Sequence, residues 1–201
     1  MIRLLLAEDQ AMLRGALAVL LDLEADLEVV AQVGRADEIV PTALRVRPDV
    51  ALLDVELPGG NGLDAAKELR AALPGCDVVV VTTFGRPGYL RRAMDAGARG
   101  FVVKDGPVEG LADAVRRVRA GEVVVDPQLA ASALTAGPSP LTDRERDVLA
   151  ASADGSTVAD IAGRLHLSES TVRNYLSSAI GKTGTRKRIE AQRAAHDLGW
   201  L

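Results

Sequence analysis

The chain has 201 residues, 48% of them hydrophobic and 26% charged, an ordinary soluble balance with room for one large domain or two small ones. Its only cysteine, Cys76, excludes an intramolecular disulfide and a cysteine-rich zinc site, and two histidines, His166 and His196, stand against a histidine-based metal centre. The net charge of −4 is uneven: residues 1–137 carry 15 basic against 20 acidic side chains, and residues 138–201 carry nine against eight.

A hard cation held by carboxylates remains open. No basic leader with an apolar core opens the chain, and no apolar run approaches the length that spans a bilayer. A cytoplasmic protein without membrane insertion is expected.

The first 120 residues alternate short apolar runs with longer amphipathic segments. Strands are predicted at Ile2–Ala7, Leu27–Val33, Val50–Asp54, Val78–Thr82 and Gly100–Lys104. Helices are predicted at Ala11–Leu23, Asp37–Val46, Gly62–Leu73, Gly88–Ala96 and Pro107–Ala120. This alternation predicts an α/β fold, a five-stranded doubly wound parallel sheet with helices on both faces. "VALLD" and "VVVVT" do not alternate with polar residues and suit central strands buried on both sides.

After Gly121 the pattern breaks. "LTAGPSP" (Leu134–Pro140) has the small, proline-containing composition of a connector, which divides the chain into a first domain at 1–122, a linker at 123–139 and a second domain at 140–201. "LTDRERDVL" opens the latter with a capping box, Thr142 and Glu145. Thr157 with Asp160 marks a second helix start, and Ser168 in "LSESTV" a third. About four short helices and no strands are expected there, a small all-α domain.

In an open parallel sheet, ligands bind beyond the carboxyl ends of the strands. The first strand delivers Glu8 and Asp9 to that rim, the third Asp54, the fourth Thr82 and the fifth Lys104. Paired carboxylates repel unless a cation joins them. Magnesium favours such oxygen ligands and accepts phosphoryl oxygens beside them, while Lys104 adds a fixed positive charge. The glycines of "ELPGGNG", after Asp54, let backbone groups approach a ligand.

"AED", "VALLDVELPGGNG", "VVVVTTF" and "GARGFVVKD" together resemble the receiver domain of two-component response regulators, a flavodoxin-like fold. The resemblance implies Asp54 as phosphoacceptor, Glu8 and Asp9 as the acidic magnesium pair, and a magnesium-binding backbone carbonyl at Glu56. It also implies Thr82 as the switch hydroxyl, Phe101 as the switch aromatic and Lys104 as the family's lysine. A sensor histidine kinase is then the expected phosphodonor.

"STVADIAGRLHLSESTVRNYLSSAIGK" reads as helix, tight turn, helix. Val172, Leu176, Ala179 and Ile180 recur at helical spacing and should face inward, which leaves Arg173, Asn174 and Ser177 outward for base edges in the major groove. Thr171, Lys182, Arg186 and Arg188 are candidate phosphate contacts. "LTDRERDVL", "IAGRLHLSESTVRNYL" and "RIEA" resemble the helix-turn-helix of LuxR-type regulators, and receiver plus this tail resembles the NarL/FixJ class, which implies binding to promoter double-stranded DNA. Within that class "AEDQAMLRGAL" and "TTFGRPGY" are similar to a regulator paired with a membrane-fluidity sensor kinase. Gly181, late in the second helix, and Thr183, where such proteins bury a large apolar residue, predict a soft helix end.

The first helix carries two apolar stripes. Leu13, Leu17, Leu20 and Leu21 suit the sheet. Met12, Ala16, Val19 and Leu23 are left for a partner, with help expected from Leu111, Val115 and Val118 of the fifth helix. A homodimer formed on phosphorylation would use them.

Two other functions compete. A phosphatase or phosphotransferase would also use an aspartyl-phosphate, but Asp54 and Glu56 only approximate the Asp-x-Asp pair of such enzymes and no substrate-binding cap is present. A receiver-like module that ignores phosphate would not require the complete acidic set.

Overall fold

The computed structural model describes residues 1–83, 87–104, 108–127, 129–131, 139–153 and 155–201. The chain divides into two compact units, the first formed by Met1–Gly85 and Tyr89–Ala131, the second containing Ser132–Leu201. Most of the "LTAGPSP" connector, the "FGR" of "TTFGRPGY" and the predicted start of the fifth helix at Pro107 lie outside the described residues.

In the first unit β1 (Ile2–Ala7), α1 (Ala11–Asp22), β2 (Leu27–Val33), α2 (Ile39–Val46) and β3 (Val50–Asp54) follow one another. A short antiparallel ribbon, β4 (Glu56–Leu57) with β5 (Gly60–Asn61), leads into α3 (Gly62–Ala72). Then come β6 (Asp77–Thr82), α4 (Pro87–Asp95), β7 (Gly100–Val103), α5 (Val108–Arg119) and β8 (Val124–Val125). The strands form one sheet in the order β2-β1-β3-β6-β7-β8, every pair parallel. Chain order reverses between β1 and β3, so the crevice above their carboxyl ends is the position where this topology binds ligands.

Both unbroken apolar runs are central strands. Every residue of β3 is buried, as are Val78 to Thr82 of β6. Successive side chains point to opposite faces. One face, with Leu4, Leu6, Leu52, Val79 and Val81, packs with Ala18 and Leu21 of α1 and with Leu111, Ala112, Val115 and Val118 of α5. The sheet gains a sixth strand over the five expected, because Val124 and Val125 pair with Gly100 and Phe101. Two residues are too short a run to stand out in the sequence.

The two stripes of α1 separate only in part as expected. Met12, Ala16, Val19 and Leu23 are exposed, with Met12 at 89% and Leu23 at 75%. Leu20, assigned to the sheet, is 41% exposed, and Ala18 takes its place in the core. Leu111, Val115 and Val118 were expected at a dimer surface and are instead buried, all at 5% exposure or less. They form the single apolar stripe of α5, and the sheet claims it.

The second unit holds four helices among the described residues: α6 (Asp143–Ala150), α7 (Val158–Leu165), α8 (Glu169–Lys182) and α9 (Arg188–Asp197). The Thr142/Glu145 and Thr157/Asp160 capping boxes are both formed, and the Ser168 side chain accepts from the Thr171 N–H. His166, with φ 54°, ends α7 in a left-handed turn just before the Ser168 cap. Val148, Leu149, Ile161, Val172, Leu176, Ala179, Ala191 and Ala195 form its core. At the end of α8, where the sequence predicts a soft end, the Thr183 hydroxyl donates towards the Ala179 and Ile180 carbonyls, 2.9 and 3.0 Å away.

Candidate cation site and nucleic-acid interface

Five of the chemically singular residues lie at the carboxyl ends of adjacent strands. Glu8 follows β1 and is 1% exposed, Asp54 ends β3 at 7%, and Thr82 ends β6 at 2%. Lys104, one residue past β7, places its Nζ 2.5 Å from Glu8 Oε2 and 2.6 Å from Asp54 Oδ2. One ammonium therefore ties two buried carboxylates from β1 and β3. Burial alone would push this amine down, but the hydrogen bonds to Asp54 and Glu8 outweigh it and raise it above the usual lysine value. Its stabilisation is thus fully present below the ordinary lysine pKa and fades only as pH rises through the raised value.

Asp9 is exposed, and its carboxylate joins those of Glu8 and Asp54 in a group whose oxygens all lie within 4.8 Å of one another. Three carboxylates beside one ammonium leave an excess of negative charge, and oxygen donors this close fit a small hard cation. Glu56 is exposed on β4, where its N–H approaches Asp54 Oδ1 at 3.4 Å. The Tyr89 hydroxyl donates to Glu56 Oε1 at 3.4 Å. Gly62 is required for close approach: a Cβ there would lie 1.8 Å from the Asp54 carbonyl oxygen. The Asn61 side chain caps α3 through the Leu63 N–H at 2.8 Å. Phe101 is 1% exposed on β7, in register with Val80.

On α8, Arg173, Asn174 and Ser177 are exposed, while Val172, Leu176 and Ala179 are buried and Ile180 is half-buried. Arg173 pairs with Glu169 one turn earlier at 2.6 Å, an exposed pair that holds the guanidinium weakly. Thr171 is half-buried, its hydroxyl 2.7 Å from that of Ser168, and Arg186 is exposed.

Two of the candidate phosphate contacts also bond within the unit. Arg188 Nη1 donates to the Ser156 carbonyl at 2.8 Å. Lys182 Nζ donates to Glu145 Oε2 at 2.7 Å. The reason for the second is Glu145, which is 4% exposed and must be paired. Its carboxylate also accepts from the Thr142 N–H at 2.7 Å and the Ser178 hydroxyl at 2.6 Å. It therefore ties the start of α6 to two positions one turn apart on α8. Sequence reasoning found Glu145 as half of a capping box but not its second task, which needs the tertiary contact.

Burial opposes ionisation of Glu145, yet Lys182, Ser178 and the Thr142 N–H hold its carboxyl well below the usual carboxylate range, at about 2. A depressed carboxyl contributes stability that is present above its ordinary pKa and lost as pH falls towards 2. Glu145→Gln should therefore flatten the acid limb of the unfolding profile and lower stability at neutral pH by about 1–3 kcal/mol. Fluorescence of Trp200, the only tryptophan, reports on this unit. An acid limb identical to that of the wild type would refute the role.

Fold and site together define a receiver-type α/β domain followed by a helix-turn-helix domain. Residues 4–116 match the model of the response regulator receiver domain, and residues 139–195 that of the bacterial regulatory proteins of the luxR family. The chain is 44% identical to the uncharacterised transcriptional regulatory protein YvfU of Bacillus subtilis and 44% identical to the transcriptional regulatory protein DesR of the same organism, over 100% of both chains in each case. Among solved structures it is similar to the response regulator ChrA of a heme-sensing two-component system, with a TM-score of 0.58, 28% identity, and coverage of 100% of this chain and 98% of that one. The chain belongs to the two-component response regulators of the NarL/FixJ class and is a transcriptional regulator with a LuxR-type DNA-binding domain. Among the described residues no helix is long and apolar enough to cross a membrane.

Proposed function

We propose that the protein accepts a phosphoryl group on Asp54 from a sensor histidine kinase, dimerises, and binds promoter DNA from the cytoplasm. The observation that carries this reading is the Lys104 bridge between Glu8 and Asp54 with Asp9 beside it. It marks Asp54 as a carboxylate held at the ligand crevice with a cation already in place. Glu8, Asp9, Asp54 and the Glu56 carbonyl would hold magnesium, which when bound neutralises negative charge on an incoming phosphoryl group.

Asp54 supplies the accepting oxygen. Lys104 orients it and offsets the added charge, and Thr82 and Phe101 on the adjoining strands form the switch that biases two receiver states. The dimer face is the exposed stripe Met12, Ala16, Val19 and Leu23 of α1, without the buried α5 residues. The receiver spans residues 1–122, the linker 123–139 and the DNA-binding domain 140–201. The likeness to DesR, together with "AEDQAMLRGAL" and "TTFGRPGY", supports control of membrane lipids as the setting.

Arg173, Asn174 and Ser177 read base edges, and Thr171, Lys182, Arg186 and Arg188 meet the backbone. Two such helices in a dimer address half-sites about 34 Å apart. The test is a gel shift of the full chain on the duplex upstream of its own gene, with and without acetyl phosphate and magnesium. The donor should tighten binding. In the same assay Arg173→Ala should cost about 1–3 kcal/mol on the cognate duplex and much less on a scrambled one, since a bidentate base contact is lost. Equal weakening of both would show that Arg173 touches only phosphate.

A further inference from the structure

We propose that Arg14 is the positioning residue for Asp9 in the cation site. The inference rests on the reading of Glu8, Asp9 and Asp54 as that site. Three carboxylates meet there, and two are fixed through their side chains. Glu8 is held by Lys104 and by the Gln10 N–H, 3.1 Å from Glu8 Oε1. Asp54 is held by Lys104, with the Glu56 N–H approaching at 3.4 Å. The Asp9 carboxylate has no hydrogen-bond partner among the described residues, so only its backbone aims it.

That backbone is clamped from α1. Arg14 Nη1 donates to the carbonyl oxygen of Glu8 at 2.5 Å, and this carbonyl belongs to the peptide that links Glu8 to Asp9. A charge-assisted bond this short fixes the peptide plane, and with it the direction in which Asp9 leaves the strand. The guanidinium fits because residue 34, just past β2, is glycine: a Cβ there would lie 3.0 Å from Arg14 Nη1. Arg14 thus acts on the cation through Asp9 and does not touch it.

The experiment measures Mn2+ binding to the full chain by electron paramagnetic resonance, with Mg2+ as competitor, for wild type, Arg14→Met, Arg14→Lys and Gly34→Ala. Partners that orient a ligand typically change metal affinity by about 10–100-fold. Arg14→Met should weaken Mn2+ binding by about tenfold, and Arg14→Lys should recover part of it. Gly34→Ala, which crowds the guanidinium without removing it, should shift affinity in the same direction by less. Phosphorylation of Arg14→Met by acetyl phosphate should be slow at limiting Mg2+ and reach the wild-type rate at saturation, which a general loss of structure would not allow. Wild-type affinity in Arg14→Met, or a rate that saturating Mg2+ does not restore, overturns the role of Arg14 alone. A wild type that binds neither cation overturns the site and the inference together.

Discussion

Lys104→Met should lower the unfolding free energy of the receiver unit by about 3–5 kcal/mol in the absence of divalent cations, the usual penalty for leaving buried charge without its partner. The side chains involved are 2% exposed for Glu8, 9% for Asp54 and 10% for Lys104, so water cannot replace the ammonium. Methionine keeps the length and apolar stem and removes only the charge. Chemical denaturation followed by circular dichroism gives the number. Magnesium should restore part of the loss, because a cation among the same carboxylates does what the ammonium did. A variant as stable as the wild type without magnesium would mean that the bridge contributes nothing.

Much of this site was legible in the sequence because strand ends in a parallel sheet are predictable places. Glu8, Asp54, Thr82 and Lys104 each follow a run whose apolar character fixes where the strand stops, and topology then brings the ends together. The second unit was legible at its caps for a similar reason, since Thr142, Thr157 and Ser168 act within their own turn. Residues whose task depends on a distant partner were not. Nothing near Lys182 in the sequence shows that it also pairs with Glu145, 37 positions earlier and buried. Leu111, Val115 and Val118 look like a spare stripe until the sheet is seen to cover them. Arg14 carries no local signal, because its partner is a backbone carbonyl.

Asp54→Ala should abolish phosphorylation and every consequence of the phosphodonor, leaving DNA affinity and sedimentation the same with and without acetyl phosphate. The fold should survive, because Lys104 keeps Glu8 as its partner and the change removes one of two carboxylates that repel each other. Stability without magnesium should not fall, in contrast to Lys104→Met, where the charges that remain have lost their cation. The two variants therefore separate the chemistry at Asp54 from the electrostatics that hold it. The most direct measurement is intact-mass spectrometry of wild type and Asp54→Ala after incubation with acetyl phosphate and magnesium. The wild type should gain one phosphoryl group and the variant none. A phosphoryl group on the variant, or none on the wild type, would contradict the assignment of Asp54 as the acceptor.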